Sequence, residues 1–349
     1  MGKSKIKVML VGYFGSGALE CSYETAFKEL FCDVNRFDIR KSIDHYCRLG
    51  SIGRLFNKFV PVEPWIRKAN REMVLEAWKY QPDVLIVFGQ NQVRAGALAQ
   101  LRSMCKVATV YIWPDTLINL SESLIASLQL YDLVAAYGRN TVRQFENLGS
   151  RRVEWIPLAG DPDLHSANLH SVENDTFGGD IDFIGQWRPE REVVMQAILS
   201  QFPSLNIGIW GNDWGRRCRG KNDILRAWRG RPLYGEQFAN VVATSKINLN
   251  IIDPMNYPVA NMRFFEIPVG GGLQVCSPCP EMEAEFKHGE TIFYYKDVDE
   301  LPELVRMLLD NVPLRRQVAQ AGHEKVLKEH TYTHRAQRIL ELLNERSTA

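Results

Sequence analysis

Residues 160–192 read GDPDLHSANLHSVENDTFGGDIDFIGQWRPERE, and the fold turns on the change of pattern inside them. From Gly160 to Gly179 the apolar periodicity stops and Asp, Asn, Ser, His, Gly and Pro take over, the composition of a connecting segment. At Asp180 a strand pattern begins, Ile181 to Gly185, with a helix after it. The break therefore separates two series of elements.

Upstream, short runs rich in β-branched residues stand at Ile6 to Val11, Val34 to Ile39, Val84 to Phe88, Val107 to Trp113, Leu133 to Tyr137 and Val153 to Ile156. Most are followed by a helical stretch, and strands alternating with helices make parallel βαβ units. One such helix, Asn70 to Tyr80, puts Met73, Val74, Ala77 and Trp78 on one face, and Pro82 stops it before the next strand. Downstream the strands continue at Ile207 to Trp210, Ile247 to Ile252, Leu273 to Cys276 and Ile292 to Tyr295. Helices then follow at Leu301 to Asp310, Leu314 to Lys328 and Thr333 to Leu343, the last with a narrow apolar stripe. The expected fold class is α/β with two Rossmann-like domains facing a central cleft. Residues 1–160 and 180–330 form the domains, 161–179 the linker, and 331–349 a helix that packs back on the N-terminal domain.

Composition is that of an ordinary globular protein. The chain has 349 residues, 42 Lys+Arg against 41 Asp+Glu and a formal charge of +1, which excludes a binder of nucleic acid that works by bulk charge. Its length exceeds what one hydrophobic core serves. No uninterrupted apolar run approaches the roughly 18 residues of a membrane span, and Val8 to Val11 is too short for a signal segment. Seven cysteines, an odd number, give no disulfide framework, so a soluble cytoplasmic protein is expected.

Several motifs sit where strands end. Gly12-Tyr-Phe-Gly15-Ser16-Gly17 follows the first strand as G-x-x-G-x-G, which differs from the dinucleotide fingerprint and from the Walker pattern. Gly15, Ser16 and Gly17 either approach an acceptor or phosphate, or merely make a tight turn. Asp115 ends the strand that closes in Trp113-Pro114, at the edge where open α/β sheets bind ligands. It either acts as general base toward a sugar hydroxyl or caps the next helix, with Glu20 and His45 as alternative bases.

In the second half, Arg188 and Arg191 follow Gly185, and a guanidinium there suits a phosphate. Gly211 and Trp214 lie in the next strand-end loop, where the indole either brackets a nucleobase or packs. The most informative stretch is Asn261-Met-Arg263-Phe-Phe-Glu266-Ile-Pro-Val-Gly270-Gly271-Gly272. Arg263 and Glu266, three residues apart, share a helix face, and the glycines admit close backbone approach. A cation for phosphate and an acid for ribose hydroxyls suit a nucleoside diphosphate; a surface ion pair is the plainer alternative.

Three D-x-D matches, at Asp161/Asp163, Asp180/Asp182 and Asp297/Asp299, lie in the linker, at a strand entrance and before a helix, so no metal site is expected. Cys276 and Cys279 form a lone C-x-x-C without a second pair at zinc spacing. A basic run including Arg216, Arg217, Arg219 and Lys221 and continuing to Arg231 is either a solvated face or a contact for a polyanionic acceptor, DNA with a hydroxymethylated base included.

Across Tyr234-Gly235-Glu236, Ile247 to Asn250, Asn261 to Gly270 and Glu329-His330-Thr331-Tyr332 with Arg335, the chain resembles GT-B glycosyltransferases of the CgeB (spore maturation protein) type. Trp113-Pro-Asp115 and Trp155 to Leu158 look like the acceptor half of that group. The resemblance implies a nucleotide-sugar donor on the C-terminal domain, an acceptor on the N-terminal domain and transfer between them. It matches Glu266 to the acid on the donor ribose, and Arg188 and Arg263 to the diphosphate neutralisers. No cofactor or metal is implied beyond the nucleotide sugar as co-substrate. The E-x7-E pattern of many retaining members would need an acid where Pro258 stands, which leaves the stereochemical outcome open. A sugar-nucleotide epimerase on the same architecture is the rival reading.

Overall fold

A computed structural model of the chain describes residues 5–15, 17–47, 50–51, 53, 62–89, 92–167 and 177–345. The chain divides into two compact units, Met1–Pro157 with Thr333–Ala349, and Leu158–Tyr332.

The first unit holds six parallel strands: β1 (Lys7–Gly12), β2 (Asp33–Asp38), β3 (Val84–Phe88), β4 (Ala108–Trp113), β5 (Leu133–Ala136) and β6 (Val153–Trp155). Their order is β2-β1-β3-β4-β5-β6. Val84 to Phe88 is buried throughout, because a central parallel strand is covered on both faces and must be apolar at every position. Around the sheet stand α1 (Leu19–Glu29), α2 (Ile39–His45), α3 (Glu63–Tyr80), α4 (Ala95–Met104), α5 (Glu122–Ile125) and α6 (Arg139–Asn147). Helix α3 begins seven residues before the expected Asn70, with Pro64 in its first turn, and ends where Gln81 turns left-handed at φ 54°. Met73, Val74 and Ala77 are buried as expected, but Trp78 is 50% exposed because the buried stripe runs through Ile66, Ala69, Asn70 and Met73 and leaves position 78 at its margin.

The second unit holds α7 (Pro162–His165), β7 (Ile181–Ile184), α8 (Pro189–Gln201), β8 (Ile207–Trp210), α9 (Trp214–Arg217), α10 (Asn222–Ala227), α11 (Gly235–Thr244), β9 (Ile247–Asn250), α12 (Arg263–Val269), β10 (Gln274–Cys276), β11 (Phe293–Tyr294), α13 (Leu301–Asp310) and α14 (Val312–Glu329). Its parallel sheet has the order β11-β10-β9-β7-β8. The stretch read as linker is in part structured. Asp161 accepts a hydrogen bond from the Leu164 amide at 3.0 Å and so caps α7, with Pro162 in the first turn. Residues 168–176 lie outside the described residues.

The last helix, α15 (Tyr332–Glu345), belongs from Thr333 onward to the first unit. Arg335 Nε donates to the Pro157 carbonyl at 3.0 Å, and Arg152 Nη1 donates to the Leu342 carbonyl at 2.7 Å. Among the described residues no helix is long and apolar enough to cross a membrane.

In each sheet the strand order reverses direction once, between β1 and β3 and between β7 and β9. Open α/β sheets bind ligands at the carboxyl ends of the strands at such a switch point. Two places, one per unit, therefore qualify on topology alone.

Candidate active site

At the carboxyl end of β7, Arg263 Nε donates to the Ile184 carbonyl at 3.2 Å, which ties α12 to the switch point. The same guanidinium pairs with Glu266 through Nη1 and lies 4.4 Å above the Phe238 ring. Glu266 is only 4% exposed. Its second oxygen faces Nε2 of His165 at 3.6 Å, too far for a hydrogen bond. Nδ1 of His165 lies 3.1 Å from the Asp161 carbonyl, so the ring presents its Nε2 lone pair toward Glu266. Burial holds the His165 pKa below its ordinary value even though Glu266 pulls it upward, and the imidazole is neutral at pH 7. Sequence reasoning missed His165, which lies in the polar break; Asp161-Pro162, a cap followed by a first-turn proline, was the available signal.

The helix carrying this pair is fixed by amides. Asn250 and Asn261 exchange hydrogen bonds at 3.1 and 2.8 Å, Asn250 also donates to Gln274 at 3.0 Å, and the Phe264 amide donates to Asn261 at 3.0 Å. Asn261, a candidate donor-binding residue, holds the start of α12. Gly272 is required by packing: a Cβ there would meet Val242 Cγ1 at 2.6 Å and the Val242 carbonyl at 2.8 Å. Gly270 has Val242 Cγ1 at 3.1 Å from the same construction, while Gly271 adopts φ 79° with open space around it.

Arg188 stands at the start of α8 and donates to Asp253 at 3.2 Å with 48% of its side chain exposed. Arg191 donates to the carbonyls of Ile251 at 3.2 Å and Gln186 at 2.8 Å. Burial lowers the Arg191 pKa; Asp253 opposes this, while Arg188 and Arg263 add to it. Three guanidiniums therefore converge on the end of β7. Trp214, by contrast, is 0% exposed, packs edge-on against Phe183 at 5.9 Å and spends its N–H on the Gly185 carbonyl at 2.9 Å. No nucleobase can stack on it. Gly211 brings two strand ends together, since a Cβ there would meet the Gly185 carbonyl oxygen at 2.0 Å.

Three of the seven basic residues in the run pair with acids. Lys221 pairs with Glu192, Arg226 with Asp223, and Arg216 with Asp213 at 3.0 Å, while Arg217 lies over the Trp187 ring at 5.1 Å. The D-x-D carboxylates are also engaged: Asp180 with Lys246 at 2.6 Å, Asp182 with Trp210 at 2.7 Å and Ser245 at 2.9 Å, and Asp297 with the amides of Asp299 and Glu300 at 2.9 and 3.1 Å. Among the described residues no three His, Cys, Asp or Glu side chains cluster as a metal site. Cys276 and Cys279 are buried thiols whose pKa values burial raises.

Residues 188–341 match the family described as glycosyl transferase-like. The whole fold matches sucrose-phosphate synthase from Thermosynechococcus elongatus, with TM-score 0.70 and 11% identity over 99% of this chain and 100% of that one. It also matches Anabaena HepE solved with UDP-glucose, with TM-score 0.65 and 14% identity over 97% and 100%. The chain has the GT-B fold, and its segment 188–341 is glycosyl transferase-like. A putative UDP-N-acetylglucosamine 2-epimerase from Listeria monocytogenes shares the fold with TM-score 0.57 and 13% identity over 99% and 97%. No curated protein matches in sequence.

In the first unit, the glycine turn takes an acid. Glu20 accepts from the Tyr13 amide at 3.0 Å, and a Cβ on Gly12 would meet its carboxylate at 2.6 Å. A phosphate beside Gly15 and Gly17 would face that acid, so the turn is a poor phosphate seat; Ser16 lies outside the described residues. Burial raises the Glu20 pKa, with Asp38 adding to the effect against the Tyr13 bond. Asp115 accepts from the Thr116 amide at 2.7 Å and from Asn119 at 2.8 Å, which makes it the anchor of its turn. Of the acids considered for the base, Glu20 has the perturbed proton affinity typical of functional carboxylates.

Proposed function

We propose that the protein transfers a sugar from a nucleoside-diphosphate donor, held by the unit 158–332, to an acceptor hydroxyl on the first unit, as a CgeB-type enzyme. The observation that carries this reading is the Arg263–Glu266 pair anchored to the Ile184 carbonyl at the switch point. Glu266 and the lone pair of His165 Nε2 are two acceptors 3.6 Å apart, a spacing suited to the two vicinal hydroxyls of a ribose. Arg188 and Arg263 neutralise the diphosphate as it departs, the electrostatic work that a metal ion performs elsewhere. Glu20 is our candidate for accepting the acceptor proton. HepE, of the same fold, was solved with UDP-glucose, which supports UDP as the first donor nucleotide to test.

The experiment is thermal stabilisation by UDP, GDP, dTDP, CDP and NAD, followed by product analysis with and without acceptor. A ligand that binds only the folded protein raises its melting temperature. A selective shift with one nucleoside diphosphate and a product only with acceptor support the reading. A shift with NAD alone overturns it, and conversion of the sugar nucleotide with no acceptor favours the epimerase.

A further inference from the structure

A second charged site lies in the first unit, away from every residue assigned above. A cavity of about 440 Å³ is lined by Glu63, Arg67, Asn70 and Arg71 of α3, by Arg94, Gly96 and Gln100 around the start of α4, and by Ser123 of α5. It sits beyond the carboxyl ends of β3 and β4, whose chain runs on into α4 and α5. Glu63, Arg67 and Arg71 recur at intervals of four, so one face of α3 presents all three to the cavity.

The charges do not balance. Arg94 pairs with Glu63 at 2.8 Å and donates to Ser123 at 3.0 Å; Arg67 reaches the same Glu63 at 3.4 Å. Arg71 has no carboxylate partner among the described residues. Two guanidiniums thus share one carboxylate beside a third that has none, and Arg67 and Arg71 repel each other across one helical turn. Asn70, buried, spends its side chain on the backbone, donating to the Ile66 and Gln92 carbonyls at 2.8 and 2.9 Å and accepting from the Arg94 amide at 2.8 Å. The start of α4 adds to the imbalance: a cation, Arg94, occupies the capping position, and no side chain caps the helix. Acids and hydroxyls stabilise that position and cations do not.

We propose that this cavity holds the phosphoryl group of a small-molecule acceptor, a phosphomonoester whose free hydroxyl receives the sugar. The assignment rests on the transferase reading above, which gives the first unit to the acceptor. A guanidinium cluster matches the geometry of phosphate oxygens, and the cavity has the volume of a small ligand rather than the length of a strand of nucleic acid. In the basic run of the second unit, the other candidate for an anionic acceptor, Arg216, Lys221 and Arg226 are paired with Asp213, Glu192 and Asp223.

Two substitutions separate the site from the fold. Arg71→Gln removes an exposed guanidinium with no ion pair to break. Gly96→Asp places a carboxylate in the first turn of α4, where a Cβ meets nothing within 4 Å. An acid there favours the helix while filling the anion position, so stability holds or rises while binding is lost.

The probes are inorganic phosphate, glucose 6-phosphate, glucose and a single-stranded oligonucleotide, titrated calorimetrically into wild type and both variants, with UDP as control. The expected result is binding of phosphate and glucose 6-phosphate but not glucose. Arg71→Gln weakens it about ten- to hundredfold, as for a lost charge-assisted hydrogen bond, and Gly96→Asp abolishes it. UDP binding is unchanged in both. The proposal is overturned if neither phosphate compound binds wild type, if binding survives Gly96→Asp, if the oligonucleotide alone competes, or if UDP binding falls with the variants. Phosphate binding without UDP binding would sink the donor reading and leave the anion cavity standing, whereas the reverse would sink the cavity alone.

Discussion

The ion pair on α12 is lopsided, and that asymmetry can be measured. The side chain of Glu266 keeps 5% of its surface and that of Arg263 keeps 27%. Deleting one member of a buried pair costs about 3–5 kcal/mol because the other charge is left uncompensated. Arg263→Met strands the deeper charge, and His165, held neutral by burial, cannot replace the guanidinium at pH 7. That variant should lose the full amount, or roughly 6–20 °C in melting temperature at about 2–4 °C per kcal/mol for a unit of this size. Glu266→Gln strands a guanidinium that keeps an open side, the Ile184 carbonyl and the Phe238 ring, so about 1–3 kcal/mol is expected. The double variant buries neither charge and should fall short of the summed losses by more than about 0.5 kcal/mol. Urea unfolding followed by circular dichroism at pH 7.5 and 5.5 measures all four corners of the cycle. At the lower pH the Arg263→Met deficit should shrink, because losing Arg263 removes one of the influences that hold the His165 pKa down, and a proton on His165 restores a cation beside Glu266. Additive losses, or Arg263→Met no costlier than Glu266→Gln, would refute the account of this pair as a desolvated and mutually dependent unit.

Three further outcomes follow from single residues. Arg188→Ala should leave stability within about 0.5 kcal/mol, since its half-exposed bond to Asp253 is of the weak surface kind, yet lower UDP affinity about ten- to hundredfold; unchanged affinity in calorimetry removes it from the diphosphate site. Gly272→Ala should cost about 1–3 kcal/mol by overpacking against Val242, and a wild-type melting curve would contradict the close approach. Glu20→Gln keeps an acceptor for the Tyr13 amide. Because burial raises the pKa of Glu20, its contribution to stability is fully present below its ordinary value of 4.5 and is lost as pH rises through the folded value. The variant should therefore gain on wild type as pH climbs past that value, while its transfer rate falls roughly 10²–10⁴-fold; a wild-type rate would exclude Glu20 as the base.

The central strands were legible in sequence because strands covered on both faces read as continuous apolar runs, whereas β2 at the sheet edge is only part-buried; each of the eleven strands falls on an expected run with shifts of a residue or two at its ends. What escaped depends on partners distant in the chain. Trp214 and Gly211 have the composition of a ligand loop, but Phe183 and the Gly185 carbonyl, some thirty residues away, turn them into packing. The basic run looked open because Glu192 lies outside it. His165 was hidden in a polar stretch that reads as a connection, and the cavity beside α4 arises from residues of three helices that no local pattern joins. Arg263 and Glu266 were readable because their partnership is local, three residues apart on one helix.

The same logic decides how the departing diphosphate is neutralised. A divalent cation bound with a diphosphate takes one or two protein carboxylates, and Glu266 and Asp253 at the end of β7 are engaged. Glu266 is taken by Arg263, and Asp253 by Arg188 and by the Met255 amide at 3.0 Å. Opposite them stand the guanidiniums of Arg188, Arg191 and Arg263; burial, with Arg188 and Arg263 adding to it, lowers the proton affinity of Arg191, and an anion among the three relieves their repulsion. Cations already in place stabilise a leaving phosphate without reorganisation at the moment of reaction. Transfer by the intact enzyme should therefore persist within about twofold after exhaustive chelation, and magnesium should not restore the affinity lost in Arg188→Ala, whose deficit is roughly that of one charge-assisted bond. Activity that vanishes on chelation and returns with magnesium or manganese would show that the arginines do not suffice, and would return the engaged aspartates to consideration as ligands.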